Sequence, residues 1–229
     1  MSSPLKTFKL YGKGSVNPPK VALILTLLDI PFETISVPIA KIKEPEYTAI
    51  NPNGRIPAIY DPNTDLTLWE SGAIIEYLIE KYDVEQKFSF APGSKESYLA
   101  KQWFFYQATG QGPYYGQSVV FKKFQPIPEA AERYVKEINR VSGVLDAWLA
   151  KQKLEYTDTP GFDGPWLVAN KFSYADLSFI IWQTTVKLVL TEEEYLDDNF
   201  PEVKEWIERM NAKPKVGSAL ATHFGPTEY

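Results

Sequence analysis

The chain has 229 residues, enough for one large domain or two smaller ones with their own cores. Its 44% apolar and 23% charged residues are ordinary for a soluble globular protein, and a net charge of −5 without a basic block argues against a nucleic-acid partner. No run of 18 apolar residues is present to span a membrane, and the first residues lack a signal-peptide core, so a cytoplasmic protein is expected.

Cysteine is absent and histidine occurs once. That removes disulfides, a thiolate metal site and a cysteine nucleophile, and no metal is expected. Any thiol chemistry must use a thiol brought by a ligand. The lone His223, after a polar Ala-Thr pair, reads as a surface residue rather than a general base.

In chain order, residues 6–11 alternate polar and apolar side chains as a strand does. A glycine-rich loop follows, then a mostly apolar helix over residues 18–29 and an aromatic and β-branched strand over 32–37. Residues 44–50 form a short helix and 57–60 a strand. The turn Asp61-Pro62-Asn63 reverses the chain into a strand over 66–68. The next helix shows an apolar face of Ser71, Ile74, Ile75, Leu78, Ile79 and Tyr82. Residues 83–94 turn polar, with Pro92-Gly93 as a linker signal. Beyond it strand signals disappear. A long buried helix is expected over 95–110, and another from residue 129 with Tyr134, Ile138, Val141, Leu145 and Trp148 along its seam. Residues 154–165 read as loop, 177–190 as an apolar helix opened by Ser173-Tyr174-Ala175-Asp176, and 201–210 as a further helix. Ser173 and Asp176 form a capping-box variant, read as structural.

Chemistry concentrates in residues 51–79. Pro57 before an apolar run fits a strand start, where no ladder donor is lost. A cis Ile56–Pro57 bond would turn the Ile56 N–H and C=O outward, able to pair with a peptide-like ligand. Glu70-Ser71 opens a helix whose free N–H groups attract a carboxylate, while the acidic side chain can hold an ammonium. Together these suit the head group of a small γ-linked peptide. Between the first strand and first helix, Asn17 is a good N-cap and Pro18 a preferred first helical residue. The Asn17 amide can also donate to a sulfur beside the positive helix end, so a capping and a binding role both stand.

The ordered set 51–79 resembles the thioredoxin-like half of a glutathione transferase. The segments Asn17-Pro-Pro-Lys-Val and Trp103 to Gln117, with Glu132-Arg133-Tyr134, Glu137 and Arg140, are similar to one branch in particular. That branch holds the bacterial nu class and the fungal class named for the yeast nitrogen-catabolite regulator and prion protein. The resemblance runs from residue 6 to about residue 220. It implies an α/β thioredoxin-like domain (βαβαββα) over residues 1–86, a linker over 87–94 and an all-helical bundle over 95–229.

It further implies glutathione as co-substrate, with contacts from Ile56, Pro57, Glu70 and Ser71, and with Asn17 assisted by Ser15 at the sulfur. Other classes place a Tyr, Ser or Cys after the first strand, so Tyr11 and Ser15 compete with Asn17. Pro18 departs from the branch pattern and withholds one backbone donor near the sulfur. Lys41 or Lys43 stands near the glycyl carboxylate, without a basis for choosing between them. A second-substrate pocket is expected near Tyr114, Tyr115, Val119 and Phe121, which could equally be core. The implied activity is glutathione transferase or glutathione-dependent disulfide reduction, with a peroxidase side activity, in detoxification or stress response of a fungal cell. The partners are a small electrophile or disulfide and a second copy of the chain in a two-fold homodimer. A non-catalytic glutathione or hydrophobic-ligand binder that regulates another protein is the alternative reading. A domain of a translation complex is a weaker third.

Overall fold

Alternation at the N-terminus produces β1 (Phe8–Tyr11), which turns Phe8 and Leu10 inward and Lys9 outward. The computed structural model describes residues 4–223. After β1 come α1 (Asn17–Leu27), β2 (Phe32–Ile35), the short α2 (Pro45–Thr48), β3 (Ala58–Asp61), β4 (Leu66–Trp69) and α3 (Ser71–Tyr82). The sheet order is β2-β1-β3-β4, with β1 parallel to β2 and antiparallel to β3, and β3 antiparallel to β4. This is the expected βαβαββα arrangement. Helix α1 is buried along most of its length because α3 and α9 (Pro214–His223) both pack against it.

The β3–β4 turn is tied to α3 by one carboxylate. Asp61 is fully buried and accepts from Asn63 N at 2.7 Å, Asn63 Nδ2 at 2.8 Å, Tyr77 Oη at 2.6 Å and the Tyr82 hydroxyl. Burial alone would raise its pKa, but these donors favour the charged form and hold it below the usual carboxylate value.

The described residues divide into two compact units, those up to Glu85 together with those from Lys213 to His223, and Gln86–Ala212. Two expectations about domain limits are corrected by this. The segment 87–94 belongs to the helical unit: the Phe88 carbonyl accepts Tyr174 N at 2.8 Å, and Lys171 Nζ donates to the carbonyls of Gln86 and Ser89, each at 2.6 Å. At the other end, α9 belongs with the sheet. Its His223 is half-buried against Phe32, ring centroids 5.3 Å apart, and burial lowers its pKa. The expected surface histidine is therefore a packing residue.

The helical unit begins with α4 (Lys95–Tyr106), capped by Ser94 Oγ accepting Ser97 N at 3.1 Å. Instead of ending near residue 110, the helix continues through a wide π turn (Gln107–Gln111) into α5 (Gly112–Val119) and a second π turn (Val120–Phe124). Buried glutamines line the first turn. Gln107 Nε2 donates to Gln111 Oε1, and Gln111 Nε2 donates to Gln183 Oε1, both at 3.1 Å. Helix α6 (Pro128–Tyr156) buries Ile138, Val141, Leu145 and Leu149, and runs three residues into the expected loop. Then follow α7 (Tyr174–Val189) and α8 (Pro201–Asn211).

Ser173 and Asp176 open α7 as a full capping box. Asp176 is completely buried: Oδ2 accepts Ser173 N at 3.0 Å, and Oδ1 accepts Leu167 N at 2.9 Å and Trp206 Nε1 at 3.1 Å. Burial raises its pKa to about 6 despite these donors. Replacing it with alanine strands three buried N–H groups. Asp176→Ala is expected to lower unfolding free energy by roughly 3–5 kcal/mol, whereas Ser173→Ala, which loses mainly a cap, costs about 1 kcal/mol. Urea titrations of the two variants check this, and equal losses would refute the tie to Leu167 and Trp206.

Candidate functional site

One turn of irregular backbone organises the site. Asn51 is buried, its own N–H bound to the Tyr47 carbonyl at 2.9 Å. Its Oδ1 accepts Asn53 N at 2.9 Å, and its Nδ2 donates to the Arg55 carbonyl at 2.5 Å. The Tyr47 hydroxyl donates to that same carbonyl at 2.8 Å. Two donors on one carbonyl fix the backbone at the residue before Ile56. Gly54 lies in the loop at φ +58°, where a Cβ would come within 2.7 Å of the Ile42 carbonyl, so only glycine fits.

The Ile56–Pro57 peptide is cis, and Ile56 precedes the first ladder residue of β3. Its side chain packs on the backbone of Gly12, where an added Cβ would stand 2.6 Å from Ile56 Cβ. The chain then crosses the hairpin to Glu70, which holds φ +70° and ψ 114°, a conformation of order 1–3 kcal/mol unfavourable for a non-glycine residue. Its carbonyl accepts the first helical bond of α3, from Ile74 N at 3.0 Å, and its Oε1 accepts Asn53 Nδ2 at 3.3 Å. Strain is thus held where an acidic side chain meets a helix N-terminus.

Asn17, Asn51, Asn53, Arg55, Ile56, Pro57, Glu70 and Ser71 line a pocket of about 370 Å³. Five of these were anticipated as contacts: Asn17, Ile56, Pro57, Glu70 and Ser71. The loop residues Asn51, Asn53 and Arg55 were not, although they stand within the segment 51–79; an amide that fixes a loop has no spacing signal of its own. Asn17 is the first residue of α1, with Val16 at the N-cap in helical conformation, so the expected capping position is shifted by one. Ser15, in the half-buried bend before α1, and Tyr11, in β1, are not among the lining residues. Lys41 is exposed in the short turn Ile39–Lys41. Lys43 Nζ donates to the Asn53 carbonyl at 2.8 Å and so braces the loop from outside.

The four residues expected around a second substrate all lie in the helical unit. Tyr115 is 2% exposed, its hydroxyl 3.1 Å from Gln183 Oε1 and 3.3 Å from Ser142 Oγ, and Val119 is also buried. Both are core residues. Tyr114 and Phe121 are half-buried and pack on Tyr134, the Phe121 ring parallel to it at 5.7 Å.

Lys20 was missed altogether. One turn after Asn17, it is 5% exposed, and burial lowers its pKa to about 8 against the attraction of Glu70, which raises it. The unfolded chain, where the value is 10.5, binds this proton more tightly than the folded chain does. Carrying the charge therefore costs folding free energy below pH 8, and the cost fades as pH rises from 8 to 10.5. Lys20→Met is expected to be more stable than the parent at pH 7 by on the order of 2–3 kcal/mol, with the difference closing at alkaline pH. Thermal unfolding of both proteins across that range checks it; a gap that is constant with pH would count against a buried charge.

Sequence comparison matches residues 11–87 to the glutathione S-transferase N-terminal domain and residues 119–223 to the glutathione S-transferase C-terminal domain. The glutathione S-transferase-like protein gedE of Aspergillus terreus is 53% identical over 227 residues, covering 98% of this chain and 99% of the relative. Among solved structures, the glutathione transferase URE2P6 of Phanerochaete chrysosporium, in complex with oxidized glutathione, superposes with a TM-score of 0.85 at 40% identity over 96% of this chain and 97% of its own. Ure2p in complex with glutathione gives 0.83 at 31% identity, with 96% of each chain covered.

Proposed function

Because the chain belongs to the glutathione transferase family, we propose that this pocket binds glutathione and that the bound thiolate carries the chemistry. The observation that carries the reading is the convergence of Asn17, Ile56, Glu70 and Ser71 on one cavity. In this reading the γ-glutamyl ammonium meets Glu70, its carboxylate meets Ser71 and the N–H groups opening α3, and the cysteinyl main chain pairs with Ile56. The sulfur then points to Asn17, whose amide donates to it at the N-terminal end of α1. Solved structures of relatives in complex with glutathione and oxidized glutathione support glutathione as the ligand in this reading.

The preferred reaction is reduction of small or mixed disulfides. The thiolate of bound glutathione attacks the glutathionyl sulfur of a mixed disulfide, forms oxidized glutathione and expels the second thiolate, which takes up a proton. With no cysteine in the chain the protein stores no mixed disulfide itself, so a symmetric disulfide requires two glutathiones in turn. An amide donor stabilises the thiolate without forming an adduct to it. Conjugation of aromatic halides is the slower activity in this reading. A two-fold homodimer belongs to the same reading on the resemblance, and light scattering of the purified protein tests it.

Calorimetry decides binding: Glu70→Ala is expected to weaken glutathione affinity by about 1–3 kcal/mol, the scale of a charge-assisted hydrogen bond. Unchanged affinity removes Glu70 from the site. For the chemistry, Asn17→Ala is expected to raise the bound thiol's pKa and to cut disulfide turnover by about 10–1,000-fold, as for loss of one charge-stabilising donor. Full activity of Asn17→Ala together with loss in Ser15→Ala would transfer the role to Ser15. Tight glutathione binding without turnover on any disulfide, peroxide or chlorinated nitroarene would support the regulatory binder instead.

A further inference from the structure

The loop between β1 and α1 carries a basic side chain that the pocket contacts leave unused. Lys13 is exposed there, and no hydrogen bond or ion pair engages its ammonium among the described residues. Its neighbours fix where it stands. Gly12, at φ +116°, donates its N–H to the Ile35 carbonyl at 2.9 Å, and a Cβ added there would come within 2.6 Å of Ile56 Cβ. The Cα of Lys13 is about 3.8 Å from that of Gly12. Gly14 holds φ +74°, and a Cβ added there would meet nothing within 4 Å, so the chain beside the lysine is open. It is anchored again at Val16, which is buried, and reaches the pocket lining at Asn17. Lys13 is therefore held between a backbone that touches Ile56 and the residue Asn17. In the glutathione reading these meet the cysteinyl main chain and the sulfur, while Glu70 and Ser71 take the γ-glutamyl end. Lys20, one turn into α1, is buried, whereas Lys13 stands in water.

We propose that Lys13 selects the second substrate, favouring disulfides that carry a carboxylate, which its ammonium draws to the thiol of bound glutathione. The inference deepens the glutathione reading above and rests on it. An ammonium is a point charge on a flexible four-carbon stem, suited to recruiting a carboxylate at varied positions rather than to fixing one geometry. In the first step the bound thiolate attacks one sulfur of the disulfide, forms a glutathionyl mixed disulfide and expels a carboxylated thiolate, which takes up a proton. A second glutathione then attacks the glutathionyl sulfur, forms oxidized glutathione and releases the other thiol. The disulfide is reduced and two glutathiones are oxidised. Lys13 exchanges no proton in either step and acts through its charge alone.

The test changes the charge on each side. Dithiodipropionate and its dimethyl ester offer the same disulfide with and without carboxylates. Both are assayed with glutathione in the parent protein, Lys13→Gln, Lys13→Glu, Lys13→Arg and, as a control for net charge, Lys9→Gln on the exposed side of β1. Each kcat/KM is divided by the uncatalysed rate constant for the same disulfide. On that scale the parent is expected to favour the carboxylated disulfide by about two- to fivefold, as for one exposed charge pair. The preference should vanish in salt of about 1 M, where the screening length falls to about 3 Å. Lys13→Gln should lose the preference with no loss on the ester, Lys13→Glu should reverse it, and Lys13→Arg and Lys9→Gln should keep it. A parent without the preference, an equal loss on both disulfides in Lys13→Gln, or a preference that survives Lys13→Glu overturns the proposal and leaves the glutathione reading intact. Glutathione binding by calorimetry with no turnover of either disulfide likewise removes the proposal alone. Failure of the parent to bind glutathione overturns that reading, and this inference with it.

Discussion

The site depends on a buried amide. Asn51 binds the backbone of the next four residues with both ends of its side-chain amide, accepting from Asn53 N and donating to the Arg55 carbonyl. A buried amide left unpaired would cost on the order of 1–3 kcal/mol, so the loop has one conformation in which burial is tolerable. That conformation delivers Arg55, Ile56 and Pro57 to the mouth of β3 in a fixed orientation. It also brings Asn53 to Glu70, joining the two halves of the pocket through a 3.3 Å hydrogen bond. The sheet supplies the platform, but this turn decides which atoms face the cavity.

Electrostatics add a second constraint. Lys20, one turn after Asn17, and Glu70 of the pocket lining are opposite charges that attract one another, the lysine almost wholly removed from water. Neither is optimal for folding: the lysine is held in a place that favours its neutral form, and Glu70 holds a left-handed backbone angle. Such unfavourable local choices persist where surrounding structure over-determines them, and they gather at working sites. Here Glu70 lines the pocket and Lys20 lies one turn from Asn17, which lines it too, whereas the buried carboxylates Asp61 and Asp176 are surrounded by donors and serve the fold.

Local periodicity made the first unit legible. Alternation at Phe8 to Leu10 and the Ile74, Ile75, Leu78, Ile79 face are short-range signals, and each became the expected element. That Ile56, Glu70 and Ser71 gather at one pocket was legible because proline and a helix start carry positional meaning. What escaped depends on contacts distant in sequence. Helix α9 is rich in small residues, with Gly217, Ser218 and Ala219 at its centre, and acquires its apolar face only against α1. The long α4–α5 stretch passes Gly110 and Gly112 because the π turn is stabilised from Gln183, some seventy residues away. Lys20 sits in an apolar helix as any surface lysine might, and only the folded chain shows that its surface is covered.

The shift of α1 by one residue bears on how a thiol could be activated. With Val16 at the N-cap and no side-chain cap bond there, the first turn of α1 is not closed by a cap from Val16, and Pro18 and Pro19 have no N–H to offer. The donors available near Asn17 are therefore fewer than at an ordinary helix start, so in the proposed glutathione reading a larger share of the stabilisation of a negative sulfur would fall to the Asn17 amide itself. An amide is a neutral donor. It lowers a thiol pKa less than a cation would, which favours a site that leaves the sulfur exchangeable over one that traps it. Within the proposed reading, exchange between sulfurs, rather than attack on a demanding electrophile, is the chemistry that such modest activation would suit.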